Sequence, residues 1–327
     1  TDLDAVYNMK GNIFSVKYDY EKALAYYNKT LLLLKKKNPN HPKISEVLMN
    51  IGHIYFIREE YPKALEFYRQ SLTLDQSSPS DYKSYRNLAR CYAEMKMPKE
   101  ADQNFKTSIK QAEALFGKTS FELALGYTYY ARFLSQEKKN AEALLYLNKA
   151  LDINTRLFGE KNRDVANTYI RLGFLEFDNK NYNKSLQYIQ KAIVSLVSDF
   201  NSANPFDDLK GLPTNPDIYL MEALWKKADL MYQLYVEKTD LKYLYSSLYN
   251  YQLLSRVANT VRSNINSDES NFLVSAHSKN AFAGAFKTTF ALYRATGDKK
   301  YLLEGFRFAE RSKSAVLLAE LRDNDDK

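Results

Sequence analysis

Five times in the first two hundred residues a small residue is followed twelve positions later by Ala or Ser and nineteen positions later by Thr, Ser or Ala. The triplets are Gly11/Ala23/Thr30, Gly52/Ala64/Ser71, Ala89/Ala101/Ser108, Ala131/Ala143/Ala150 and Gly173/Ser185/Ala192. Spacing within a triplet never varies, whereas successive triplets stand 41, 37, 42 and 42 residues apart. A fixed interior with a variable outer spacing is a structural repeat joined by loops of adjustable length.

The text around each first small residue has helical periodicity, as in 9–17, 50–57, 87–92, 130–134 and 171–175. A second helix follows each, as in 19–24, 60–65, 140–144 and 181–186. Helices that cross at roughly 8–10 Å leave no room for a Leu at the crossing, so the small residues mark the crossings. Large residues recur four before the small residue (Tyr7, Leu48, Tyr85, Tyr127, Tyr169) and sixteen after it (Tyr27, Tyr68, Phe105, Leu147, Ile189). They are expected to fill the space between crossings. One helix pair has no second layer to bury them against, so stability must come from stacked neighbours: an α-solenoid.

Taken together, the small and aromatic positions of these helix pairs resemble the tetratricopeptide repeat (TPR) over about residues 3–199. The long units, with connectors such as Leu115-Phe-Gly117 and Leu157-Phe-Gly159, resemble the kinesin-light-chain-like subgroup. The resemblance implies an all-α, right-handed α-solenoid of TPR helix pairs, with domains at 1–199, a connector at 200–216 and further TPR-like hairpins over 217–327.

Composition agrees with a chain of helices and short turns, since Gly contributes only 10 and Pro only 8 of 327 residues. The formal net charge of +8 comes from Lys and Arg scattered along helices, and the longest basic run, Lys35-Lys36-Lys37, falls at a helix end where cations favour the dipole. A nucleic-acid footprint would need a basic face interleaved with stacking aromatics, and the scatter argues against it. Cys91 is the only cysteine, which leaves no intramolecular disulfide, and its place on a helix reads as a packed thiol. No apolar run approaches the roughly 20 residues of a membrane helix. The chain opens at Thr1 without an initiator Met or leader-like stretch, which reads as an excised fragment; a cytoplasmic setting is expected.

Beyond 199 the pattern breaks into a stretch, 201–216, rich in helix breakers and caps. An internal echo follows: Leu234-Tyr235, Asp240, Lys242, Tyr243 and Leu244 recur 58 residues later as Leu292-Tyr293, Asp298, Lys300, Tyr301 and Leu302. It predicts two long hairpins, about 217–237 with 240–263 and 269–296 with 298–321, each with an Asp-capped turn. With the closing segment Phe306 to Leu321, which contains Ala309-Glu-Arg-Ser-Lys313, this half resembles the stretch joining TPR arrays to a CHAT domain in bacterial TPR-CHAT proteins. CHAT domains are caspase-like, and the resemblance implies a peptidase portion, with a His and a Cys, starting after Lys327.

Cysteine-peptidase chemistry needs a thiolate and an imidazole within hydrogen-bond reach. Here Cys91 faces a neighbouring core by register, His53 faces a groove, His41 sits in a Pro-flanked connector and His277 lies in an apolar and small-residue stretch of helix. There is no Gly-rich phosphate loop, no paired Cys for zinc and no His-x-x-x-His spacing, so the chain is read as non-enzymatic, with no cofactor or metal.

The first helices of a helical solenoid line its inner wall. Three before and one after each small residue, the register places Asn8 and Asn12, Met49 and His53, Arg86 and Arg90, Thr128 and Arg132, Ile170 and Phe174 on that wall. Asn50 and Asn87 stand two before it, and Lys83 six before it. In TPR domains that clamp a peptide's C-terminal carboxylate, the resemblance implies that Asn12, Asn50 and Lys83 match three of five clamp positions. Asn8 stands where that family has Lys, and Asn87 where it has Arg. Asn suits an extended backbone and Arg forks carboxylates. The expected site is a peptide-binding groove made by Asn8, Asn12, Asn50, His53, Lys83, Arg86, Asn87, Arg90 and Arg132. Its partner would be an acidic protein or peptide segment, or the protein's own CHAT portion. The alternatives are a free-standing cytoplasmic adapter and a basic nucleic-acid-binding repeat protein.

Overall fold

The computed structural model describes residues 2–17, 19–73, 81–264 and 268–311, with the backbone alone over 264 and 268–280. Among the described residues every regular element is helical. Five pairs come first: α1 (Leu3–Val16) with α2 (Tyr20–Lys37), α3 (Lys43–Ile57) with α4 (Tyr61–Thr73), α5 (Asp81–Glu94) with α6 (Pro98–Phe116), α7 (Phe121–Gln136) with α8 (Asn140–Phe158), and α9 (Arg163–Asp178) with α10 (Tyr182–Leu196). They are followed by α11 (Ile218–Lys238), α12 (Leu241–Asn264), α13 (Asp268–Thr296) and α14 over 300–311. The chain divides into two compact units, Thr1–Ile153 and Asn154–Lys327.

Every residue of the five triplets is buried. A methyl group built on Gly11 would stand 2.6 Å from the Tyr27 ring, one on Gly52 2.8 Å from the Tyr68 ring, and one on Gly173 2.6 Å from Ile189. The large residue sixteen positions on therefore lies directly over the small one instead of filling the space between crossings, and each pair closes by interlocking size with absence of size. In the fifth pair the two small residues also meet, since Ser185 Oγ donates to the Gly173 carbonyl at 2.6 Å. The third member of the triplet reaches the next repeat: Ser71 Oγ lies 2.7 Å from Ser45 Oγ of its own pair and 3.1 Å from Ser84 Oγ of the following one.

The turn inside each pair is also built to one plan. Glu59, Lys96, Lys138 and Lys180 each stand seven after the small residue, with φ between 60° and 63°. Each is followed by a backbone N–H that reaches back five residues, as Glu60 to Tyr55 and Asn181 to Glu176, so the last carbonyls of the first helix are satisfied. Between pairs, the two Leu-Phe-Gly connectors end their helices on Gly117 (φ 81°) and Gly159 (φ 75°), where the absent Cβ permits the left-handed backbone.

In the second unit α11 and α12 make the first expected hairpin, and α13 and α14 follow the second as far as residue 311. Lys242 N and Lys300 N each donate to the preceding turn aspartate, Asp240 and Asp298, at 3.0 Å. The lysine ammoniums lie over Tyr243 and Tyr301 at 5.0 and 4.8 Å. The echo in the sequence is thus an echo in geometry. The side chain of His277, and residues 312–321, which carry part of the closing segment, lie outside the described residues.

The connector after α10 is not a bare linker. Lys161 Nζ donates to the carbonyls of Val197 and Phe200, both at 2.8 Å, closing the end of α10. Asp208 accepts from Ser246 Oγ at 3.0 Å and from Asn250 Nδ2 at 2.7 Å, and Tyr249 donates to the Leu209 carbonyl at 2.8 Å. Fully buried Lys227 on α11 completes the clamp, with Nζ 3.0 Å from Gln190 Oε1, 2.5 Å from the Asp207 carbonyl and 3.1 Å from Asp208.

Candidate functional site

Register positions on the first helices become a surface in the first unit. Of the residues one after each small residue, Asn12, His53 and Arg132 are exposed and Arg90 is half-buried. The positions three before sit deeper. Met49 is buried and, in the second unit, Ile170 is fully buried, so neither lines the wall as the register alone had placed them. Asn8 Oδ1 and Arg86 Nε are buried atoms without a hydrogen-bond partner.

Two separate clefts divide the expected residues. One, of about 310 Å³, is lined by Asn8 and Asn12 together with Asp4, Lys43 and Glu46. Asn12 Oδ1 there accepts from Tyr27 OH at 2.8 Å and from Asn50 Nδ2 at 3.4 Å. The other, of about 300 Å³, is lined by Arg90 and Arg132 with Phe56, Tyr61, Tyr129 and Phe133, and by Glu59 and Glu94. Lys83 is exposed and its ammonium lies 5.8 Å from the Tyr82 ring. Asn50, His53, Lys83, Arg86 and Asn87 line neither cleft, although Arg86 shares the Tyr129 ring with Arg90 at the edge of the second.

The second cleft has distinctive electrostatics. The Arg90 guanidinium stands 4.2 Å from the Phe56 ring centre and 5.0 Å from that of Tyr129, and Arg86 stands 5.3 Å from Tyr129. Two cations four residues apart on α5 are thus pinned by ring faces, an attraction of the quadrupole that leaves their charge in place. Burial lowers the pKa of Arg86, but a guanidinium stays protonated. His53 keeps an exposed edge, yet burial among its neighbours, followed by the charges of Arg90 and Arg86, pushes its imidazole down to about 4. Water at that edge softens the burial contribution, while both guanidiniums act in the same direction, so His53 is neutral at pH 7. Cys91 is fully buried, and burial raises its thiol to about 12, so no thiolate stands ready at neutral pH.

Sequence reasoning did not single out Phe56 or Tyr129, and it read Tyr68 only as a packing residue. Tyr129 stands two before Ala131, in the same register column as Asn50 and Asn87, and that column was the available signal. Among the described residues no helix is long and apolar enough to cross a membrane.

The tetratricopeptide repeat family model matches residues 2–77, 81–155 and 122–193. A curated relative, the clustered mitochondria protein homolog of Debaryomyces hansenii, is 30% identical over 115 residues, which are 35% of this chain and 9% of that protein. The chain thus spans less than a tenth of that relative's length. Among solved structures, BtubC (BKLC) from P. vanneervenii is similar with a TM-score of 0.58 and 18% identity, over 74% of this chain and 92% of that one. The apo form of RapI is similar with a TM-score of 0.59 and 12% identity, over 97% and 98%. TPR-like repeats attributed to a kinesin light chain of Podosopora anserina reach 0.51 at 13% identity, over 68% and 99%. At these identities the structural likenesses speak for the fold. With repeat matches over more than half of its residues and the helix-pair geometry described above, the chain belongs to the tetratricopeptide repeat family.

Proposed function

We propose that this chain is a non-catalytic protein-interaction scaffold whose first-unit groove takes an extended or helical polypeptide segment carrying acidic residues. One observation carries the reading: Arg86 and Arg90 are charged, held by aromatic rings and without an ion-pair partner among the described residues, beside a cleft open to a side chain. An acidic side chain there would form charge-assisted forked hydrogen bonds, and the neighbouring rings would take an apolar flank. Asn12 and Asn50 on α1 and α3 supply groups that both donate and accept, suited to a peptide backbone.

The narrower form of this reading is a sensing or restraining role toward a CHAT-type peptidase domain. It is supported by the resemblance over 217–321 and by the duplicated Asp-capped turns of that half. A free-standing adapter in a cytoplasmic complex would need the groove alone.

The test is an anisotropy titration of a labelled Asp/Glu-rich peptide and its Asn/Gln counterpart against the native chain and the Arg86→Glu/Arg90→Glu variant. The acidic peptide is expected to bind the native chain and to lose at least tenfold in affinity to the variant. Equal affinity for both proteins would remove the groove assignment.

A further inference from the structure

The cleft is lined by Arg90 and Arg132 against Glu59 and Glu94, and Arg86 beside it, on the same Tyr129 ring as Arg90, adds a further cation to that set. Arg58 pairs with Glu21 and Glu60, Arg163 with Asp217, and Arg171 with Glu222. Arg86 and Arg90 are less exposed than a surface arginine, yet neither makes an ion pair among the described residues, and Arg86 Nε is buried with no acceptor at all. The two acids lining the cleft, Glu59 and Glu94, are the ones whose charges act on Tyr61. A second unmet donor lies near the arginines: the Tyr68 hydroxyl is buried without a partner within reach of the Arg90 and Arg86 charges, whereas its register counterpart Tyr27 donates to Asn12.

A desolvated guanidinium with a second one beside it raises the energy of the free protein, and the ring faces that pin the two do not neutralise them. A monoanionic carboxylate would compensate one of the two. A dianion compensates both, and a phosphate monoester brings about −1.5 to −2 charge at pH 7 with three acceptor oxygens for two guanidinium forks.

We infer that the paired guanidiniums of Arg86 and Arg90 form a receptor for a phosphoryl group carried on the bound polypeptide, so that the groove prefers a phosphorylated segment to a merely acidic one. This rests on the groove reading above and adds the valence of the anion to it. Phe56 and Tyr129 hold the forks in place before binding, so little side-chain freedom is lost when the phosphoryl group arrives.

The experiment uses the full chain and three fifteen-residue Ala/Gln peptides that differ only at the central position: phosphoserine, Glu or Ser. Affinities come from calorimetry, and the His53 imidazole is followed by NMR as a reporter beside the two arginines. The phosphoserine peptide is expected to bind at least tenfold more tightly than the Glu peptide. Its arrival should also raise the His53 titration midpoint, because a dianion offsets the charges of Arg90 and Arg86. Arg86→Lys/Arg90→Lys, which keeps the charge and removes the forks, should erase most of the preference. If phosphoserine and Glu peptides bind alike and both depend on the arginines, the groove stands and the phosphoryl inference falls. If no peptide binds, both fall. If inorganic phosphate alone, or a single-stranded RNA, binds as tightly as the phosphopeptide, the polypeptide source is wrong. The comparison of peptides on the native chain needs no variant to fold.

Discussion

The repeats of the first unit and the hairpins that follow residue 217 both bury helix pairs, but they close them with different materials. In the repeats, Gly11 and Gly52 lie under the rings of Tyr27 and Tyr68, a contact of shape alone. In the hairpins, Gly284 lies under the Tyr251 hydroxyl, which itself donates to Asp229 at 2.5 Å, and Lys227 ties Gln190, Asp207 and Asp208 together in the interior. Apolar interlock needs only the right volume at a fixed offset, so it can be copied along a chain with loops of any length between copies. A buried polar clamp works only if every member finds its partner, which ties it to one place in the fold. The arginine cleft lies in the first unit, where the contacts that close the helix pairs are contacts of shape and do not draw on its charges.

That contrast breaks most visibly at Lys227. Replacing it with Ala removes the ammonium beside Asp208 and the donor to Gln190 Oε1 in the second unit, and denaturant unfolding should record a loss of about 3–5 kcal/mol. Lys227→Met, which keeps the volume, should recover little of it, because Gln190 Oε1 would still lack that donor and Asp208 its neighbouring cation. A loss under about 1 kcal/mol for Lys227→Ala would mean that the connector does not depend on the clamp. The shape side is tested by Gly52→Leu, which overpacks the contact with Tyr68 at a cost of about 1–3 kcal/mol, while Lys110→Leu on the exposed face of α6 should be nearly silent. Equal effects at the two positions would contradict the interlock.

Much of the fold could be read before any coordinates because steric exclusion writes directly into composition. A position under a Tyr ring must be Gly or Ala wherever the contact recurs, and five recurrences set the register. The Asp240 and Asp298 turns were legible for the same reason, since a short side chain that accepts from the N–H two residues on is needed in both copies. The connector was not. Gln190, Asp208, Lys227 and Asn250 lie far apart in sequence, occur once each, and look like ordinary surface residues until the chain folds. The left-handed turn residues were hidden differently, because Glu59, Lys96, Lys138 and Lys180 occupy a conformation that usually selects Gly. At the cleft, the register put Arg90 and Arg132 in one column, and the structure brings them to one cavity. It could not show that Phe56 and Tyr129, from two other helices, would hold the guanidiniums, nor that Asn8 and Asn12 would face a different cavity beside Glu46.

The central claim is that a polypeptide binds along the first helices of the first unit. Hydrogen–deuterium exchange of the full chain, with and without a saturating Asp/Glu-rich peptide, tests it most directly. The account predicts slowed exchange in α3, α5 and α7 with α11 and α12 unchanged; protection confined to α11 and α12, with none in α5, would contradict it.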